Sequence, residues 1–345
     1  MRRAIGSVLI GIGVFAVILA ILLPTVVVPK STKTPLNLNV TTIATGPAKL
    51  LNASTGQLVD ANLRATRTVH SDSHASDSKN TTMDESLCIV NVIGTTPNCV
   101  AASDPKGRLL SVTTDRVTTD RVNAMAVLVP GWGANVNGDT SIRHEGLAYK
   151  FPINSKQTTY PFFLPDLGKA FPADYVRTEH LNGLKLYVYE SKTGTQPYKI
   201  QGIADGFYTD TRTVWVEPKT GQIVKGVEKQ VQTLASGQVA LDTTLTFDDA
   251  TITAQANTAK KAIKQAQIAG VWLPIILVIL GIAALVGGVL MLRNRGEGGA
   301  TGGGDVPAEN APPDWIPGYG DGSSEGPSGG SGESTPPALS GSSQT

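Results

Sequence analysis

Apolar residues run without a single charge from Ala4 to Leu23, "AIGSVLIGIGVFAVILAILL", and again from Ile268 to Leu292, "IAGVWLPIILVILGIAALVGGVLML". Twenty helical residues rise about 30 Å, the thickness of a hydrocarbon core. Backbone groups in lipid must be satisfied within their own segment, so both runs predict transmembrane helices. The first is longer than a signal-peptide core and leads into "PTVVVPK" rather than a small-x-small cleavage site, so an uncleaved anchor is expected.

Between these runs the pattern changes period. Apolar and polar residues alternate in "LNLNVTTIAT", "LKLYVYE", "RTVWVEP" and "LTF", the two-residue repeat of half-buried strands. Turn dipeptides punctuate them at Thr55-Gly56, Asn182-Gly183, Thr220-Gly221 and Ser236-Gly237. "TTDRVTTDRV" (113–122) reads as one long strand. No strand–helix alternation appears, which disfavours a parallel nucleotide-binding sheet. The expected fold is a mainly β, antiparallel domain, barrel-like or sandwich, between two terminal transmembrane helices. Near the second span the pattern turns helical: "DDATITAQANTAKKAIKQAQ" offers Asp248 or Asp249 as N-cap. This helix is expected to run on into the membrane, with Trp272 at the interface.

Beyond Arg295 the chain is dominated by Gly, Ser, Pro and Glu. Such a segment cannot bury enough apolar surface to offset its ordering entropy, so a disordered tail is expected. "PPDWIPGY" is its one aromatic-rich stretch and a candidate contact for a cytoplasmic partner. The organisation predicted is a short cytoplasmic N-terminus (1–3), a helix (4–27), an extracytoplasmic β-rich domain (28–267), a helix (268–292) and a cytoplasmic tail (293–345). Flanking charge does not set this orientation, since Arg2 and Arg3 are matched by Lys30 and Lys33. It rests on the short N-terminus and the ease with which long segments translocate. The membrane in question is the plasma membrane.

Net charge is +1 over 345 residues, so no global field favours nucleic acid. Cys88 and Cys99 bracket "IVNVIGTTPN" and lack neighbouring metal ligands; outside the cytoplasm a local disulfide is expected. Catalytic signatures are absent: no G-x-S-x-G, no H-E-x-x-H, no P-loop lysine. His70 and His74 sit in the Ser/Asp-rich "VHSDSHASDSKN", read as a loop rather than a metal site. "GWGANVNGD" (131–139) reads as a tight exposed loop. Glu217 and Lys219 read as turn-shaping residues. His144 and Glu145 precede "YKFP", where Tyr149 and Phe151 would share one strand face; His144 is expected at the surface, paired with a carboxylate or backbone group. No cofactor, metal or catalytic residue is expected. The opposing enzyme reading, an envelope-glycan hydrolase, would need paired carboxylates such as Asp205 and Glu217.

"HEGLAYKFP", "YPFFLPDLGKAFPADYV", "NGLKLYVYE" and "TRTVWVEPKTGQIVKG", in this order between two terminal membrane helices, resemble an actinobacterial domain-of-unknown-function family whose members are often labelled porin PorA family proteins. This chain has "YPFFLPDLGKA" where that family has Tyr-Pro-Phe-Trp-Asp-Pro. The resemblance implies a two-pass envelope protein, some relatives being associated with lipomannan-type lipoglycan assembly, and it carries over no catalytic residues. Membrane lipids or glycolipids, and envelope glycosyltransferases, are the partners it suggests. Tyr149, Phe151, Tyr160, Phe162, Phe163 and Trp215 are the candidate ligand contacts, in an apolar tunnel able to pass an acyl chain. A membrane barrel needs an outward apolar band and aromatic girdles, whereas this β region is polar and Thr-rich. A β-barrel pore is therefore not expected, nor is a receptor that signals through the tail the first reading.

Overall fold

The computed structural model describes residues 2–28 and 33–293; the expected tail, apart from Arg293, lies outside them. Helix α1 covers Arg2–Leu22 and ends in a wider turn over Leu23–Val27. Twelve strands follow: β1 (Asn39–Leu51), β2 (Leu58–Asp72), β3 (Asn80–Asn91), β4 (Leu109–Asp120), β5 (Asn135–Val136) and β6 (Tyr160–Leu164), then β7 (Lys169–Leu181), β8 (Leu184–Lys192), β9 (Gln196–Ile200), β10 (Ala204–Glu217), β11 (Gln222–Leu234) and β12 (Val239–Phe247). Helices α2 (Asp249–Gln267) and α3 (Leu273–Arg293) join through one wide turn into a single rod. Asp248 is the N-cap, its carboxylate accepting from the Thr251 N–H at 2.7 Å.

The strands form one antiparallel sheet in the order β5-β4-β3-β2-β1-β12-β11-β10-β8-β7-β6, with β9 also on β10. The expected antiparallel β fold is found, as a curved half-barrel rather than a sandwich. Irregular chain bridges its two ends. Val127 N–H donates to Thr118 O at 2.9 Å, Ala126 N–H to Gly146 O at 2.7 Å, and Leu147 N–H to Pro161 O at 2.7 Å. The ring of hydrogen bonds therefore passes from β4 through 125–127 and 146–147 to β6.

Strand alternation decides what each face carries. On β10, Thr213 and Trp215 point outward, and Trp215 packs with Leu186, Val188 and Val224 against Ala256 and Ala259 of α2. Val214 and Val216 point inward to Leu147, Phe151, Phe162 and Tyr189. On β2, Leu63, Ala65 and Val69 are buried on the inner side, while the residues that alternate with this face, Asn62, Arg64, Thr66 and Thr68, are polar. Arg67 on β2 and Arg212 on β10, with three strands between them in the sheet, still feel one another's charge. Only a concave shared face brings them that close.

The membrane-type helices pack through small residues. Gly6, Gly13 and Ala16 of α1 meet Gly281 and Gly288 of α3; a Cβ on Gly13 would stand 2.8 Å from the Gly281 carbonyl oxygen. Small residues let backbones approach where lipid leaves no hydrophobic drive between helices. The large side chains around this seam, among them Val8, Phe15, Ile279 and Leu280, are exposed, as lipid-facing residues would be. Trp272, expected at the interface, is 61% exposed at the start of this helix.

Candidate functional site

The end of the barrel facing the helix pair is sealed. The segment 147–155 crosses it: Phe151 N–H donates to Gly221 O at 3.0 Å, Ile153 N–H to Val122 O at 2.8 Å, and Ser155 N–H to Pro218 O at 2.9 Å. Gly221 is required there, because φ is +72° and a Cβ would fall 2.0 Å from the Phe151 carbonyl oxygen. Leu147 and Phe151 are fully buried. Phe151 stacks on Tyr189 at 4.6 Å and Phe162 at 5.7 Å, and meets Tyr160 edge-on. The tether to α1 also ends at this floor, where Lys150 Nζ donates to Thr34 Oγ1 at 2.9 Å. Burial and nearby Arg121 bring the Lys150 ammonium down to about 8.

Beside this aromatic floor the inner wall becomes charged. Along β10 the inward residues preceding Val214 are Tyr208, Asp210 and Arg212, all buried. Arg212 pairs with Glu228 of β11 at 2.7 Å and lies 3.8 Å from Asp210. Across the interior Arg67 donates to Glu85 of β3 at 2.9 Å. The next residue along, Asp115 of β4, receives His144 Nε2 at 2.7 Å and the Tyr149 hydroxyl. Asp166, on the short 3-10 turn Pro165–Leu167, adds its carboxyl to the same electrostatic neighbourhood as Arg67, Arg212 and Glu228.

The side chains of Arg67 and Glu228 keep 27% and 25% of their accessible surface, and Asp166 is exposed. These charges therefore lie on a concave inner face that water reaches rather than in a packed core. Burial, with Glu228 nearby, pushes the Asp210 carboxyl up to about 8 against the pull of Arg212. Burial likewise raises Asp166 and Glu85. For Glu228 burial works upward too, but the guanidiniums of Arg212 and Arg67 outweigh it and hold the carboxyl low. Burial and the surrounding carboxylates raise the Tyr208 and Tyr149 hydroxyls well above their ordinary value. Three buried polar atoms of this region have no hydrogen-bond partner among the described residues, Asp210 Oδ1, Arg212 Nε and His144 Nδ1, and the buried Tyr208 hydroxyl has the Asp166 carboxyl beside it.

The aromatic candidates from the sequence divide. Phe151, Tyr160 and Phe162 do come together, but as a packed floor and not as a tunnel. Phe163 lies against the His144 ring at 4.5 Å. Trp215 is outside the barrel, its indole N–H donating to Glu179 at 2.6 Å and its face covered by Lys225 at 4.5 Å. Tyr149 and Phe151 do not share a strand face, because no strand forms there and Tyr149 has φ +59°. His144 is not a surface residue: its side chain is 3% exposed and pairs with Asp115, while neighbouring Glu145 is exposed. His70 lies on β2 rather than in a loop, and only His74 is in the turn beyond. Residues 135–136 of the glycine-rich stretch form the short β5.

Other readings stand. Cys88 and Cys99 form the expected disulfide, with Cα atoms 5.8 Å apart. Glu217 shapes its turn, its carboxylate accepting from the N–H groups of Lys219 and Thr220 and from the Thr220 hydroxyl. It cannot pair with Asp205, which sits exposed at the opposite end of β10 beside Lys199; twelve residues of strand separate them by about 40 Å. The charged inner face itself was missed in the sequence. Its one visible trace is the row Tyr208-x-Asp210-x-Arg212 on a single strand face.

A family model described as Porin PorA matches residues 5–290. A protein named Porin PorA from Corynebacterium resistens is 27% identical over 405 aligned residues, covering 86% of this chain and 98% of its own length. Another of the same name, from Corynebacterium amycolatum, is 26% identical, covering 83% and 97% respectively.

Proposed function

The chain belongs to the porin PorA family of membrane proteins, and from that membership and the barrel's geometry we propose a non-catalytic envelope protein that binds and presents a lipid or glycolipid. The barrel stands outside the plasma membrane, both termini are cytoplasmic, and the presented molecule feeds lipoglycan assembly. One observation carries this reading: a concave, charged inner face of the half-barrel, joined by a continuous helix to a membrane-type helix pair. The helices keep this face where amphiphiles emerge from the bilayer.

Deleting the gene should alter the envelope glycolipid and lipoglycan profile, and wild-type protein should restore it. Glu145→Ala and Asp205→Ala, both at exposed carboxylates, should restore it equally; failure of either in a folded protein would favour an ectoenzyme. Single cysteines at Ser54 and Ser331, with Cys88 and Cys99 replaced by serine, test the topology. Only Ser54 should react with an impermeant reagent on intact cells.

The relatives' printed name favours a second reading, a channel. Against it stand the polar outer face of β2, the floor at 147–155 and the tight glycine seam between α1 and α3. Stepwise conductance from the purified full-length protein in planar bilayers would establish the channel reading and displace ours.

A further inference from the structure

We propose that the end of the barrel beside the helix pair is a docking surface for anionic phospholipid headgroups. It is built from Lys33, Arg121 and Lys150 on one side and from Lys260, Lys261 and Lys264 on the other. The proposal needs only that the two helices cross a bilayer. It goes beyond the reading above because it does not depend on any molecule held by the barrel.

Both tethers leave the apolar runs at one level: a Cβ on Gly270 would lie 3.6 Å from the Val28 side chain. Between Asp249 and Arg293 the only charged residues are Lys260, Lys261 and Lys264, and all three are exposed. At about 1.5 Å per helical residue they stand about 6–12 Å before Ile268, where the second apolar run begins. The polar layer of a bilayer is about 5–8 Å deep on each side, and flexible lysine stems carry the ammonium toward it. The three spread over about 100° of the helix, on a different face from Ala256 and Ala259, which pack on the sheet.

The first tether brings the other three cations together. Lys33 Nζ donates to Ser78 O at 2.7 Å. Buried Thr34 is pinned from both sides: its N–H donates to Arg121 O at 2.8 Å, and Arg121 Nε donates to Thr34 O at 2.8 Å. Lys150 Nζ takes the Thr34 hydroxyl as its acceptor. Burial and then the Arg121 charge both disfavour the Lys150 ammonium, so an anion set against this pair stabilises it. The neighbouring carboxylates are taken up in turns. Asp77 accepts from the Lys79 and Asn80 N–H groups, and Asp120 from those of Val122 and Asn123. Among the described residues none of the six cations makes an ion pair. At the opposite end of the barrel Lys49 and Lys199 are paired, with Asp60 and Asp205. A soluble acidic partner would have to enter the layer between barrel and bilayer, whereas lipid phosphates already fill it.

The test uses the full-length protein in phosphatidylcholine vesicles carrying a trace of spin-labelled phosphatidylglycerol or spin-labelled phosphatidylcholine. The motionally restricted fraction of each label, read by electron paramagnetic resonance, gives their relative affinity for the protein. Phosphatidylglycerol should be preferred about two- to tenfold at low salt. In about 1 M NaCl the preference should approach one, because the Debye length falls to about 3 Å. Replacing Lys260, Lys261 and Lys264 together by glutamine should lower the low-salt preference about twofold or more, and Lys150→Gln should lower it by a smaller factor. Both variants should keep the wild-type unfolding midpoint. Removing the same charge at the far end, with Lys49, Lys106 and Lys199 replaced by glutamine, should leave the preference unchanged. Arg2, Arg3, Arg293 and Arg295, at the other ends of the spans, set a background that all these variants retain. Equal restriction of the two lipids by wild type, indifference to salt, an undiminished preference in either membrane-end variant, or an equal loss in the far-end control would each overturn the proposal.

Discussion

The inner face of β10 carries two unlike surfaces within one strand. Val214 and Val216 join the aromatic floor, where Phe151 and Tyr189 are fully buried and interlocked. Tyr208, Asp210 and Arg212, on the same face, are also buried but polar, and Arg212 is paired with Glu228. The floor is stabilised by removing apolar area from water, and it tolerates no polar orphan. The wall depends on ion pairs and keeps Asp210 Oδ1 and Arg212 Nε unsatisfied. The difference teaches where stability is concentrated and where it has been given up.

The largest effect should come from breaking the floor. Phe151→Ala removes a ring that contacts Tyr160, Phe162 and Tyr189 and should cost about 3–5 kcal/mol. Denaturant unfolding of the purified protein, followed through the barrel's aromatic signals, measures it. A loss below about 1 kcal/mol would mean the floor is loosely packed.

Breaking the wall should cost nearly as much, but only when done from one side. Arg212→Ala leaves the Glu228 carboxylate without its paired cation, an expected loss of about 3–5 kcal/mol. Replacing Arg212 and Glu228 together by Met and Leu should recover most of it. If the double variant is no better than the single, charge pairing is not what the wall depends on.

The disulfide lies remote from both surfaces, on β3 and its following loop. Replacing Cys88 and Cys99 by serine should cost about 2–3 kcal/mol on the loop-entropy model. Non-reducing peptide mapping should find the two peptides linked in protein taken from its membrane.

Asp210 gives the smallest and most specific signature. The unfolded chain releases this proton near pH 4, whereas the folded chain keeps it to about 8. Between these values the native state holds the extra proton, so stability falls as pH rises. Asp210→Asn removes that slope. Its stability relative to wild type should climb from about pH 4 to about 8 and stay level outside that window. A flat difference across the whole range would show that Asp210 is ionised when folded.

Much of the frame was legible in one dimension, because it depends on composition and on short periods. Two uncharged apolar runs are long enough to cross a bilayer whatever surrounds them. Asp248 caps its helix, and Glu217 and Gly221 make their turn, through partners within a few residues. Trp215 and Val214 fall on opposite faces because a strand alternates locally.

What the sequence could not decide was which face would become the inside and what would meet there. Arg67, Glu85, Asp166, Arg212 and Glu228 come from five separate elements, and only curvature of the sheet brings them into one field. His144 looked like a surface residue because its neighbours are polar, yet the chain folds inward and buries it on Asp115. Tyr149 and Phe151 looked like a strand because they alternate, but the left-handed turn at Tyr149 sends the segment across the barrel's end instead. Local pattern fixes what each residue can pair with nearby; closure of the sheet determines which distant charges must share one inner face.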